Sequence, residues 1–275
     1  MMDLEKFELE PISLESFIIG LNLVIFLVAV SFLMVTFIKR LKRINEDKRK
    51  KEYQAILDSV LFEFLFDDKK VEEVIKAEAF KKNLNSVLFK RVAIRSVLSL
   101  HQSYSGNYSR KLEEFYEASG LVNYSLEKLN ASSWTYIVEG IRDLSGMNFQ
   151  KAYPRIVSYK NHDNKMVRTE VLLGMIKLKG IGEILKFSSS ELYMNEWVQS
   201  NILYTVKKHK IGAPSNLLEL LQSKNRSVVL LAVRLINYYN SIEHYPALSK
   251  FYQQTKDVTL RREIAGALRK TEQIS

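Results

Sequence analysis

Residues 17–38 read FIIGLNLVIFLVAVSFLMVTFI, an apolar run without a single charge. Nothing else in the sequence restricts the possible folds as much. As a helix rising about 1.5 Å per residue, the run is roughly 33 Å long, close to the hydrocarbon thickness of a bilayer. Asn22, Ser31 and Thr36 are its polar exceptions, and they do not make a polar face. The core helix of a soluble domain has such a face. A signal peptide carries basic residues before the apolar run and small residues at a cleavage site after it. Here the order is reversed. Residues 1–16 hold Asp3, Glu5, Glu8, Glu10 and Glu15 against Lys6, a net of −4. KRLKRINEDKRKKE, residues 39–52, holds eight basic and three acidic residues, a net of +5. The run is therefore read as one retained transmembrane helix.

The same charge step predicts orientation, because Lys and Arg stay on the cytoplasmic side. Residues 1–16 become a short extracytoplasmic N-terminus, and everything after residue 38 is cytoplasmic. The basic segment 39–52 then lies against an anionic leaflet, with Lys39, Arg40, Lys42 and Arg43 as the nearest membrane-surface contacts. The chain as a whole carries +10, from 41 Lys and Arg against 31 Asp and Glu. It has no cysteine, which excludes a disulfide framework, a thiol nucleophile and a Cys-rich zinc site. With 10 Gly and 4 Pro in 275 residues, the remainder reads as helices joined by short turns. The expected fold class is all-α.

Internal periodicity sets the architecture of the cytoplasmic part. Four segments align: NKMVRTEVLLGMIKL from Asn164, NEWVQSNILYTVKK from Asn195, NRSVVLLAVRLINY from Asn225 and DVTLRREIAGALRK from Asp257. Their starts are 31, 30 and 32 residues apart. Each opens with Asn or Asp where an N-cap belongs. Three residues later stands Val167, Val198, Val228 or Leu260, then Val171, Ile202, Ala232 or Ile264, then Gly174, Thr205, Leu235 or Ala267. That is a helical stripe, with small residues where a neighbouring helix can approach. Pro154, Pro214 and Pro246 precede three of the caps by 10, 11 and 11 residues and mark the first turn of a partner helix. The Asn195 unit lacks a Pro and carries a Ser188-Ser189-Ser190 break.

A cap followed by V-R-x-x-A-x-x-A-L in a helix pair of about 31 residues resembles the short HEAT repeat, and Val167-Arg168 matches its Val-Arg core. Val229 departs from it at the Arg position. The layout, with SSWTYIVEGIRDLSGMN, AYPRI and NEWVQ after a single span, is similar to membrane-anchored HEAT-repeat proteins of Bacteroidota-type bacteria. The resemblance implies an armadillo-like α-solenoid of HEAT-like hairpins over 149–275, and location in the inner, cytoplasmic membrane. It brings no activity. Residues 53–148 are expected to form degenerate hairpins. Phe89–Val97 and Trp134–Leu144 would be second helices, and apolar positions 53, 56, 57, 60, 61 and 64 would pair with 71–80 as an N-terminal cap.

No pattern in the sequence points to catalysis, a cofactor or a metal. His101, His162, His209 and His244 have no His or Glu partner at metalloprotease spacing. His162 and His209 read as solvated, and Trp134 and Trp197 as core residues. Between Glu78 and Glu113 no acidic residue occurs. That interval holds Lys81, Lys82, Lys90, Arg91, Arg95, Arg110 and Lys111, with Tyr104 and Tyr108. Such a stretch suits a polyanion, either nucleic acid or anionic lipid. A membrane tether does not suit nucleic acid. The leading expectation is a non-enzymatic scaffold that binds membrane-associated protein partners. Envelope or surface-polysaccharide machinery is the class the resemblance implies, and no small-molecule substrate is expected. The expected binding face lies one to two residues past each core Val or Leu, with Arg168, Thr169, Gln199, Leu230, Arg261 and Arg262 turned away from the seam and Arg234 lining the same face.

Overall fold

A computed structural model describes residues 14–67, 69–187, 194–215 and 217–272. Most of the acidic N-terminus and the Ser188–Ser190 break lie outside these residues. Every regular element among the described residues is helical. The chain divides into two units, Met1–Ile56 and Leu57–Ser275.

The first unit holds most of helix α1 (Leu14–Phe66). From Phe17 to Ile38 its large apolar side chains are all exposed, on every side of the helix. Thr36 donates its hydroxyl to the Phe32 carbonyl at 2.8 Å, which satisfies that polar group inside the helix itself. This helix is long and apolar enough to cross a membrane. Past residue 38 it turns charged and supports itself locally. Lys50 reaches Glu46 at 2.9 Å and Asp47 at 3.2 Å, and Arg49 donates to the Tyr53 hydroxyl at 2.9 Å. Pairs at this spacing add a few tenths of a kcal/mol each (about 0.2–0.5).

The second unit begins with the last turns of α1, whose Leu57, Val60, Leu61, Phe64 and Leu65 are buried. Short helices α2 (Val71–Lys76) and α3 (Glu78–Asn83) follow, where one helix over 71–80 was expected. The break is at Ala77, whose φ −51 and ψ 130 are non-helical. Phe80 then stacks on Phe115 at 5.5 Å and Phe89 at 5.4 Å, and Phe64 lies 5.7 Å from Phe115. These rings join α3 to α4 (Val87–Ser103), α5 (Asn107–Ala118) and the end of α1.

From there the chain makes helical hairpins. Helix α6 (Leu121–Leu129) packs on α7 (Trp134–Gly146), α8 (Tyr153–Val157) on α9 (Lys165–Lys179), α11 (Leu217–Leu221) on α12 (Arg226–Tyr239), and α13 (Tyr245–Gln254) on α14 (Val258–Glu272). The first element of the Asn195 unit is a 3-10 stretch, Ile181–Phe187, ahead of α10 (Glu196–Lys208). All four expected caps are made. Asn164 accepts from Met166 N, Asn195 from Val198 N, Asn225 from Ser227 N, and Asp257 from Thr259 N and Leu260 N. Each is worth about 1 kcal/mol. Pro154 and Pro246 start α8 and α13 as expected. Pro214 does not start a helix; it precedes α11 by three residues in an irregular segment.

Second helices pack side by side, α7 on α9, α9 on α10 and α12 on α14. Gly174 of α9 sits against Ile141 and Ser145 of α7; a Cβ there would meet Ile141 at 3.0 Å. Gly140 of α7 sits even closer to α6, where a Cβ would lie 2.9 Å from the Ser125 carbonyl oxygen. Val167, Val171, Ala232, Leu235, Ile264 and Ala267 are all fully buried, so the stripe read from the sequence is the seam.

Candidate functional site

The expected binding face does not exist as one surface. Thr169, Gln199 and Leu230, placed there by the sequence reading, are buried. The physical reason is the number of neighbours. A stripe of one face describes a helix packed on one partner. A second helix here is packed on its own first helix and on second helices beside it, so the flanks close as well. Gln199 is 1% exposed and works as internal glue. Its amide donates to the Met194 and Ser227 carbonyls at 3.0 and 3.3 Å, and its oxygen accepts from Arg234 at 2.9 Å.

Three arginines of the set, Arg168, Arg234 and Arg261, are also in use. Arg168 donates to the His162 and Asp163 carbonyls at 2.7 and 2.8 Å and closes its own turn. Arg234 of α12 bridges Glu196 of α10 and Glu263 of α14, each at 2.7 Å. The Arg234 hydrogen bond holds the Glu196 carboxyl below the usual carboxylate range. Arg226 pairs with Asp257, the cap of the next second helix. Arg261 lies over the Tyr252 ring at 4.8 Å, and Arg262 is exposed.

What is exposed instead is the edge where the second helices begin. Trp134 and Tyr136 of α7, Met166 of α9, Trp197 of α10 and Val258 of α14 all stand out from first turns. Trp197 is 52% exposed and Val258 81%. Trp134 and Trp197 are therefore not the core residues expected from the sequence. The same alignment that found the caps locates this row, since cap positions one and two precede the first buried Val. First turns of α10, α12 and α14 are neighbours, as Arg226–Asp257 and Met194 N to Ser227 Oγ at 3.0 Å show.

A second feature is a polar cleft of about 530 Å³ between α4, α6 and α7. Asp143 forms its floor. Lys128 donates to Asp143 at 2.7 Å and lies 3.4 Å from Glu139, and Ser125 donates to Asp143 at 3.1 Å. Burial pushes the Asp143 carboxyl above its usual range despite the Lys128 charge beside it. Arg91 and Arg95 of α4 line one wall, and Arg142 of α7 lines the other. Arg142 gives its Nε to the buried Glu170 at 2.7 Å.

The rest of the basic stretch is dispersed. Lys90 lies over Tyr124 at 5.6 Å, and Lys111 over Phe64 at 5.9 Å. Lys81 and Lys82 are exposed on α3, and Arg110 on α5. Tyr104 and Tyr108 stack on Phe66 at 6.3 and 5.5 Å rather than standing free between the cations. His162 and His209, read as solvated, are each half-buried. His162 accepts the Asn164 N–H at 2.9 Å, and His101 meets Glu113 at 3.0 Å. His209 is half-buried; burial, then the charges of Lys177 and Lys208, push its pKa down to about 4. No protein-family model, curated protein or solved structure matches this chain. Its own surfaces are thus the ground for reading its function.

Proposed function

We propose that the chain is a membrane-tethered scaffold of the HEAT type, which binds membrane-associated protein partners on the cytoplasmic side of the inner membrane. One observation carries the reading. Large apolar side chains stand exposed in the first turns of α7, α9, α10 and α14, whereas α12 carries Arg226 and the buried Ser227 there; Arg226 and Arg234 of α12 are paired with carboxylates of neighbouring helices. Exposed aromatics recurring along one edge suit protein recognition. The apolar segment 17–38, with its acidic-to-basic charge step, supports the tether and the orientation. Tethering raises the effective concentration of any partner in the same membrane. The repeat length, the Asn/Asp caps and the side-by-side second helices support the HEAT-type reading.

The test is a pull-down of the full chain from solubilised membranes. Replacing Trp134, Trp197 and Val258 together with Ser should remove the recovered partners. Replacing Arg168, Arg261 and Arg262 with Glu should leave them. The reverse pattern would move the interface back to the charged positions. Unchanged recovery in both variants would reject the helix starts and those arginines as the binding surface.

A further inference from the structure

We propose that the cleft between α4, α6 and α7 is a binding site for a phosphate-bearing ligand, held chiefly by Arg95 and Arg142. The inference is independent of the scaffold reading. It starts from a mismatch in charge pairing. On the later hairpins two arginines that face other helices meet carboxylates: Arg226 meets Asp257, and Arg234 meets Glu196 and Glu263. In the cleft Arg142 spends one nitrogen on Glu170, Arg91 donates to the Tyr136 hydroxyl at 3.2 Å, and Arg95 meets no carboxylate among the described residues. Both lining carboxylates, Asp143 and Glu139, are engaged by Lys128. Arg95 lines the cleft with no partner among the described residues. Arg142 uses only Nε on Glu170, so both of its terminal nitrogens remain as donors.

The α4 wall is built as a donor stripe. Arg91, Arg95, Ser99 and Gln102 all line the cleft, at a spacing that puts them on one helix face. Arg91 and Arg95 are like charges one turn apart, an arrangement that costs stability unless an anion sits between them and the opposite wall. The lining carries four cations against two carboxylates, and Glu170 behind Arg142 adds a third. The remainder is positive. A single carboxylate ligand would satisfy one guanidinium fork. A phosphate offers three or more acceptor oxygens and up to two charges, enough for both Arg95 and Arg142 with Ser99 or Gln102 beside them. The cleft volume, about 530 Å³, lies within the range of small-ligand sites, so the phosphate and part of the group bearing it fit. Lys128 and Asp143 set the floor, where a buried, mutually satisfied pair holds the site's shape.

Two sources supply this chemistry, a soluble phosphate compound and a phospholipid headgroup. The full chain in phosphatidylcholine nanodiscs is titrated with inorganic pyrophosphate by calorimetry. One saturable site is expected, weakened by salt. Arg95→Glu should weaken binding by roughly tenfold or more, because it removes a charge-assisted fork and adds repulsion. Arg95→Lys should recover part of the affinity, and Gln102→Ala should lose a smaller part. Repeating the titration in discs containing phosphatidic acid separates the sources. Suppressed pyrophosphate binding assigns the site to a headgroup, and unchanged binding to a soluble compound. Absence of saturable binding, or equal affinity in wild type, Arg95→Glu and Gln102→Ala, overturns the proposal.

Discussion

The apolar part of α1 and helix α12 are built from much the same residues and live in opposite surroundings. FLVAVSFLMV in the first and VVLLAVRLI in the second are both Leu- and Val-rich without a polar face. Every large apolar group from Phe17 to Ile38 is exposed, whereas Val228 through Val233 are buried. The difference is in the polar residues that accompany them. Residues 17–38 contain no charge, and Thr36 turns its hydroxyl onto its own helix. Helix α12 carries Arg226 and Arg234, each answered by a carboxylate on a neighbouring helix, and opens on an Asn cap. An all-round apolar helix with paired charges belongs to a protein interior. One without them, at this length, is apolar enough to cross a membrane.

A matched substitution tests that contrast with the largest expected effect. Ala232→Asp places an unpaired carboxylate where no side-chain surface is exposed, and should cost about 3–5 kcal/mol of stability. It should abolish the cooperative melt of the full chain in detergent. Val28→Asp, at the middle of the apolar run, should leave that melt nearly unchanged and instead reduce membrane insertion, by about 3 kcal/mol on insertion scales. Alkaline extraction of membranes reads the second effect. A large loss of melting cooperativity with Val28→Asp would erase the distinction between the two helices.

Arg234 sharpens the same comparison at a smaller scale. Arg234→Met removes the group that satisfies Glu196, Glu263 and the buried Gln199 oxygen, and should cost about 1–3 kcal/mol. Adding Glu263→Gln to it should recover part of the loss, because a neutral amide is cheaper to leave unpaired than a carboxylate. If Arg234→Met melts like wild type, the bridge is decorative and α12 is held by its apolar surface alone.

The smallest effect is a pH dependence. His209 has its pKa lowered from 6.5 to about 4, so the folded state holds a neutral imidazole where the unfolded chain takes up a proton. The unfolded state therefore binds more protons in that interval, and stability falls as pH drops from about 6.5 toward 4. Burial is the first cause and the Lys177 charge the second. His209→Gln should melt with a shallower pH dependence than wild type between those values. Parallel curves would mean that His209 is solvated after all, as its KKHK context suggests.

Legibility followed range. The caps at Asn164, Asn195, Asn225 and Asp257 were readable because an N-cap acts on backbone groups two or three residues away. The α7 and α4 helices were likewise readable from local pattern. Break positions were less so: Ala77 divides 71–80 by a local backbone turn that apolar spacing does not encode, and Pro214 falls short of its helix. Thr169, Gln199 and Leu230 were misplaced because one-face periodicity counts one partner, and these helices have several. Trp134 and Trp197 were misplaced for the complementary reason, since a large aromatic at a helix start is apolar by type but lies before the first packed turn.

By itself, then, the sequence determined where helices start, which stripe forms the seam and which segment is apolar and uncharged enough to cross a membrane. Those properties depend on neighbours within about two turns. Tertiary structure alone decided which flanks close, which cations find carboxylates and that Arg95 finds none. The α4/α6/α7 cleft gathers residues from Arg91 to Asp143, more than fifty positions apart in the chain. No local pattern couples Lys128 to Asp143 and Glu139. Only the packing of α6 on α7, through the close approach at Gly140, takes both lining carboxylates for Lys128 and leaves Arg95 on the cleft wall without one.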